Sequence, residues 1–220
     1  MIWMDMAAGG VLNASSGVLL VLALWMAASM RARTCIVAFG LQSLVIAAQT
    51  AALAGEHHLP GVWVVAALVV LIKVVAIPLT LLRIVAALKT TPTAAASLSS
   101  AQSMFAGTLL ILVAYAAVQP YARGLGVQPE ALAAAVALIL IGGLLMVSRR
   151  KAVMQVLGLL VLENGIFLAA LTTTLGMPLV VETGIFFDLL MWVFLVGLFV
   201  YRIRDTFDHV DIGRLRRLRG

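Results

Sequence analysis

Seven stretches of this chain are apolar for about 20 residues at a time, near 11–30, 34–54, 62–86, 104–121, 130–148, 152–174 and 179–201. A hydrocarbon core about 30 Å thick is crossed by about 20 residues of α-helix, so each stretch is long enough to span a bilayer. Inside that core no water satisfies the backbone, and helices that hydrogen-bond internally are what such runs can form. Charged residues make up 11% of the chain, under half of the roughly 25% usual in soluble domains. The expected fold is all-α: a polytopic transmembrane helical bundle of about seven spans, with little outside the bilayer.

The basic residues orient this bundle. With seven spans, Arg31, Arg33, Arg83, Lys89, Arg149, Arg150, Lys151 and the tail arginines Arg202, Arg204, Arg214, Arg216, Arg217 and Arg219 fall on one side. Arg123 falls on the other, and Lys73 lies within a span. The positive-inside rule makes the crowded side cytoplasmic, so the C-terminus is expected in the cytoplasm and the N-terminus outside. The net charge of +6 is thus a topology signal, and no nucleic acid is expected as a partner. Met1 to Asp5 has no positive n-region, so the first run is expected to remain a helix.

The expected organisation is three helices in 1–88, a cytoplasmic linker over 89–103, four helices in 104–204 and a basic tail over 205–220. The linker is rich in Thr, Ala and Ser and holds Pro92, a composition that breaks helices. Cys35 stands alone, which excludes an internal disulfide or a thiolate metal centre and reads as a small apolar residue near a helix start. His57 and His58 share an expected external loop, a weak metal signal on its own. No phosphate loop, facing histidine pair or serine–histidine constellation is present, so neither a cofactor nor an enzymatic reaction by this chain alone is expected.

Polar groups inside the spans carry the functional signal. Glu163 lies halfway along the sixth, where an ionised carboxylate costs about 3 kcal/mol on insertion scales. A chain that accepts this usually moves a proton or an ion through the group. Asn164 and Gly165 follow it, and Gln155, eight residues earlier, falls on nearly the same helix face. These predict a polar stripe from a cytoplasmic entrance to the membrane centre. Lys73 lies deep in the third span, before Pro78. Pro78 lacks a backbone donor and clashes four residues back, which would leave the Val74 carbonyl free beside Lys73. The seventh span carries Glu182 near its external end and Asp188 deeper. A carboxyl at the depth of Asp188 calls for a proton or a positive partner. Gln42, Ser43 and Gln49 on the second span read as packing through hydrogen bonds.

The order Arg149-Arg150, Gly158-Leu159, Glu163-Asn164-Gly165, Pro178 to Glu182, Asp188-Leu-Leu and Arg202-Ile-Arg204-Asp205-Thr-Phe207-Asp208 resembles the hydrogenase-4 component E family. The similarity is closest over about 130–215, and Lys73 with Pro78 is similar to that family's third helix. The resemblance implies a non-redox, multi-pass subunit in the bacterial inner membrane. Its partners would be antiporter-like and hydrogenase- or quinone-proximal subunits of a formate hydrogenlyase-like, complex I-related assembly. The part at about 130–204 is also similar to the three-helix K subunit of complex I and the C subunit of Mrp-type antiporters. With Arg150 and Gly158 aligned to that pattern, its carboxylate position falls on Leu160, and Glu163 sits one turn later, about 4.5 Å along the axis. On this resemblance Glu163 is the central proton relay and Asp188 the next one outward. Lys73 is then a second relay or the charge that tunes both. A structural scaffold of the same assembly, or a subunit of a Mrp-type cation/proton antiporter, fits the same residues.

Overall fold

The computed structural model describes residues 2–56, 60–87, 97–125, 128–174, 184 and 186–197. Among them the chain is helical, without a β-strand: α1 (Ile2–Ala28), α2 (Ala32–Glu56), α3 (Pro60–Val69), a π-helical segment (Val70–Ala76), α4 (Ile77–Ala87), α5 (Ser100–Leu125), α6 (Pro129–Ser148) and α7 (Ala152–Thr174). A last helix, α8, covers 186–197. Five helical stretches in the described residues are long and apolar enough to cross a membrane: Ala32–Ala52, Gly61–Ala86, Ser100–Ala122, Pro129–Ser148 and Ala152–Thr173. The first and last expected spans coincide with shorter apolar helices, Ala14–Ala28 and Phe186–Gly197.

Two boundaries differ from the sequence reading. The helix expected from 104 starts at Ser100, where Ser99 Oγ accepts from the Gln102 N–H and Gln102 Oε1 accepts from the Ser99 N–H. This reciprocal cap closes two of the backbone donors that a helix start leaves open. The same helix continues through Pro120 to Leu125, four residues past the apolar stretch that ends near 121. Pro120 is exposed at the end of the span, and apolar surroundings tolerate a proline that soluble helices reject.

Close packing of α6 on α7 organises the bundle. A Cβ on Gly165 would come within 2.8 Å of the Ala135 carbonyl, and one on Gly142 within 2.5 Å of the Leu162 amide. Hydrogen alone fits there, and association of membrane helices rests on such approaches, because lipid tails give apolar side chains no reason to associate. α1 packs on α2, α5 and α6, and α2 packs on α3, the π segment, α4 and α7. The core formed this way includes Leu19, Phe39, Ile46, Leu138, Ile141 and Leu160. Cys35 is a buried member of this core.

Arg149, counted above as a topology charge, is instead buried to 1% exposure between α6 and α7. Its guanidinium donates to the Ala27 carbonyl in the last turn of α1 and meets Met30 Sδ. A cation there satisfies a carbonyl that the helix end leaves open and faces the negative end of its dipole. Burial lowers the Arg149 pKa from its usual value, yet a guanidinium stays charged at neutral pH. Arg149 thus ties the α1–α2 turn to the α6–α7 hairpin.

Candidate functional site: a charge cluster inside the bundle

Three consecutive residues of α7 point three ways, because each step along an α-helix turns about 100°. Gly165 faces α6, Asn164 faces α2 and the π segment, and Glu163 faces a cavity beside α8. The tight fit at Gly165 therefore sets the aim of its two polar neighbours.

Lys73 occupies the centre. Its Nζ lies 2.8 Å from Asp188 Oδ1 and 3.8 Å from Glu163 Oε2. It donates to Asn164 Oδ1 at 3.1 Å and sits 5.7 Å from the centre of the Phe167 ring, within range of a cation–π attraction. Lys73 and Asp188 are almost fully buried, while the Glu163 side chain keeps 14% exposure. Four of the residues singled out from the sequence thus meet at one point, from the π segment, α7 and α8. Unsupported, such charges would be prohibitive in an apolar medium; paired and hydrogen-bonded, they are accommodated.

The π segment modifies the reading of Pro78. In the wider turn each N–H reaches five residues back, as Ile77 does to the Ile72 carbonyl. In that register the carbonyl opposite Pro78 is that of Lys73 itself, rather than that of Val74. The helix accommodates the proline by widening over the turn that carries the lysine.

Gln42 and Ser43, read from sequence as packing, belong to the cluster. Asn164 Nδ2 donates to Gln42 Oε1 at 3.2 Å and to Ser43 Oγ at 3.4 Å, and Gln42 Nε2 donates to the Leu19 carbonyl at 3.2 Å. An ammonium can only donate and a main-chain carbonyl can only accept. With those ends fixed, both amides between them have one orientation that satisfies the chain, with their oxygens toward Lys73. The sequence signal for Gln42 was present as an uncharged amide deep in an apolar helix. Its partner, 122 residues away, was not visible. Gln49 is separate and donates to Ser15 Oγ at 2.7 Å, joining α2 to α1.

Gln155 does not extend this network. It is exposed, and its amide donates to the Arg149 carbonyl at 3.0 Å. The two turns between it and Glu163 hold apolar residues and Gly158, so the predicted stripe to a cytoplasmic entrance is interrupted. Glu182, His57, His58, residues 89–96 of the linker expected over 89–103, and the tail lie outside the described residues. Among the described residues no group of three or more His, Cys, Asp or Glu could hold a metal ion.

The cavity beside the cluster has a volume of about 460 Å³. Leu159, Leu162, Ile166, Phe187 and Leu190 form much of its wall, and Lys73, Glu163 and Asp188 line it together. Neither Glu163 oxygen accepts a hydrogen bond. An apolar cavity with a few convergent charged groups is the usual form of a functional site.

Comparison with known proteins adds one relative. The chain is 38% identical over 122 residues to an uncharacterized protein, Rv0085, of Mycobacterium tuberculosis, covering 55% of this chain and 56% of that protein. The chain thus spans about half the length of the curated relative it matches. No known family model matches the chain, and no solved structure does.

Proposed function

We propose that this protein is a non-redox membrane subunit of a hydrogenase-4-like, complex I-related assembly, and that its charge cluster takes part in moving protons. In this reading the chain spans the bacterial inner membrane seven times, with the N-terminus outside and the C-terminus in the cytoplasm. The family is proposed from the sequence resemblance. The observation that carries the proton-handling role is the Lys73 ammonium, buried midway along an apolar helical stretch, 2.8 Å from one carboxylate and 3.8 Å from another on a different helix.

The chemistry follows from counting charges. One ammonium and two carboxyls are neutral together when one proton is shared between the carboxyls, and a bilayer favours that neutral state. A proton on Asp188 frees Lys73 to close on Glu163, and a proton on Glu163 leaves Lys73 with Asp188. A flexible lysine stem allows a shift of about 1 Å between the two carboxyls. The cluster can pass a charge across its width without a redox group. Waters would complete the hops, which need partners about 3 Å apart.

Glu163→Gln removes one of the two carboxyls and keeps the shape. Electron transfer in the purified complex is expected to continue, with proton uptake into reconstituted vesicles reduced at least about tenfold, the size expected for loss of a positioned proton-transfer group. Pumping at the parent rate would refute the role. Mass spectrometry of the co-purifying subunits tests the assembly: a nickel–iron large subunit supports it, and a set of antiporter subunits alone replaces it with the antiporter reading.

A further inference from the structure

Resting on the proton-handling reading above, we propose that Phe167, seated against Gly184, is a positioning residue for the cluster. Its ring holds the Lys73 ammonium between Glu163 and Asp188 and is unable to take a proton from it.

Nothing in the sequence marks Phe167, an apolar residue in an apolar helix. The fold gives it a particular place. It follows Glu163 by four residues and Asn164 by three, one turn further along α7. At 100° per residue its direction falls between theirs. α7 therefore brings a carboxyl, an amide and an aromatic ring to Lys73 from one sector. The ring centre lies 5.7 Å from Lys73 Nζ, and Phe167 lines the cavity with Lys73, Glu163 and Asp188 while itself buried.

The ring is backed on a second side. A Cβ added to Gly184 would come within 3.0 Å of Phe167 Cδ2 and 3.2 Å of Cε2, so the glycine gives the ring its seat. Gly184 precedes Asp188 by four residues. The segment that supplies the closer carboxylate thus also supports the ring.

The groups around Nζ divide by chemistry. Glu163 and Asp188 attract the ammonium and can also take up a proton. The Asn164 oxygen accepts a hydrogen bond from it at 3.1 Å and gives it direction. The face of an aromatic ring attracts a cation through its quadrupole and has no basic atom. It therefore stabilises the charge on Lys73 whichever carboxyl is protonated, and leaves the shift between the two free. A leucine would fill much of the same space and offer the ammonium no such attraction.

The test replaces Phe167 of the full chain with phenylalanines carrying one, two or three ring fluorines, which withdraw charge from the ring face and nearly keep its shape. The unfolding equilibrium in mixed detergent micelles should shift stepwise toward the unfolded form. Three fluorines should move it at least about threefold, the size of an ordinary cation–π attraction. The same series in a chain carrying Lys73→Met and Asp188→Asn, which lacks the ammonium and its closest partner, should show no such steps. Proton uptake by the complex in reconstituted vesicles should fall in the same order while electron transfer continues. Phe167→Tyr, which keeps the ring face, should retain at least about threefold more uptake than Phe167→Leu.

An equal response to fluorine with and without Lys73, or none in either, overturns the contact. If Glu163→Gln reduces uptake but the fluorine series does not, the positioning role is overturned. A silent Glu163→Gln defeats the proton-handling reading instead, and the unfolding series still decides whether the ring holds the lysine.

Discussion

Lys73→Met tests the cluster at its centre. It removes the ammonium from between Asp188 and Glu163 and deprives Asn164 Oδ1 of its donor. Asp188, at 2% exposure, is left as a buried charge without its partner. Breaking a buried ion pair from one side costs about 3–5 kcal/mol. The orphaned amide oxygen adds about 1 kcal/mol. Reversible unfolding in mixed detergent micelles, followed by tryptophan fluorescence, measures the loss. Adding Asp188→Asn to the variant should recover about 2 kcal/mol, since the two residues share one interaction. A variant as stable as the parent, or one that Asp188→Asn leaves equally weakened, would refute the pairing.

Other outcomes follow from the same contacts. Gln42→Leu removes the acceptor that orients Asn164 and should lower stability by about 1 kcal/mol in the same assay, with proton transport reduced alongside; an unchanged transport rate would separate the amide chain from function. Gly165→Val drives a branched side chain into the α6 backbone and should cost about 3 kcal/mol, with Gly165→Ala between the two; equal stability of the three would mean that α6 and α7 do not meet there. Arg149→Met leaves the Ala27 carbonyl uncapped and should cost about 1–2 kcal/mol, of which Arg149→Lys recovers at most about half because it cannot reach both contacts; full recovery by lysine would show that charge alone matters.

The extent to which the sequence revealed the site varies by residue. Lys73, Glu163 and Asp188 stood out because a charge in an apolar run is anomalous whatever surrounds it. Gln42 showed only as a hydrogen-bonding amide, because an amide in a membrane helix has many satisfactory partners and only its neighbour in space decides which one it uses. Gln155 stands apart from the cluster for the opposite reason. Helical periodicity put it on the face of Glu163, but a shared face does not make contact across two turns of apolar side chains. Arg149 showed as a charge on one side of the membrane, and its burial depends on where α1 ends in space.

Helical character and the depth of each ionisable group were therefore determined by the sequence, since both depend on the local run of apolar residues and on the lack of water in a bilayer. Which charges meet was decided by the tertiary structure. Glycine contacts between α6 and α7 set the rotation of α7, and the widened turn before Pro78 sets that of Lys73. Rotations of that kind arise from packing between segments distant in the chain, and local sequence carries no record of them.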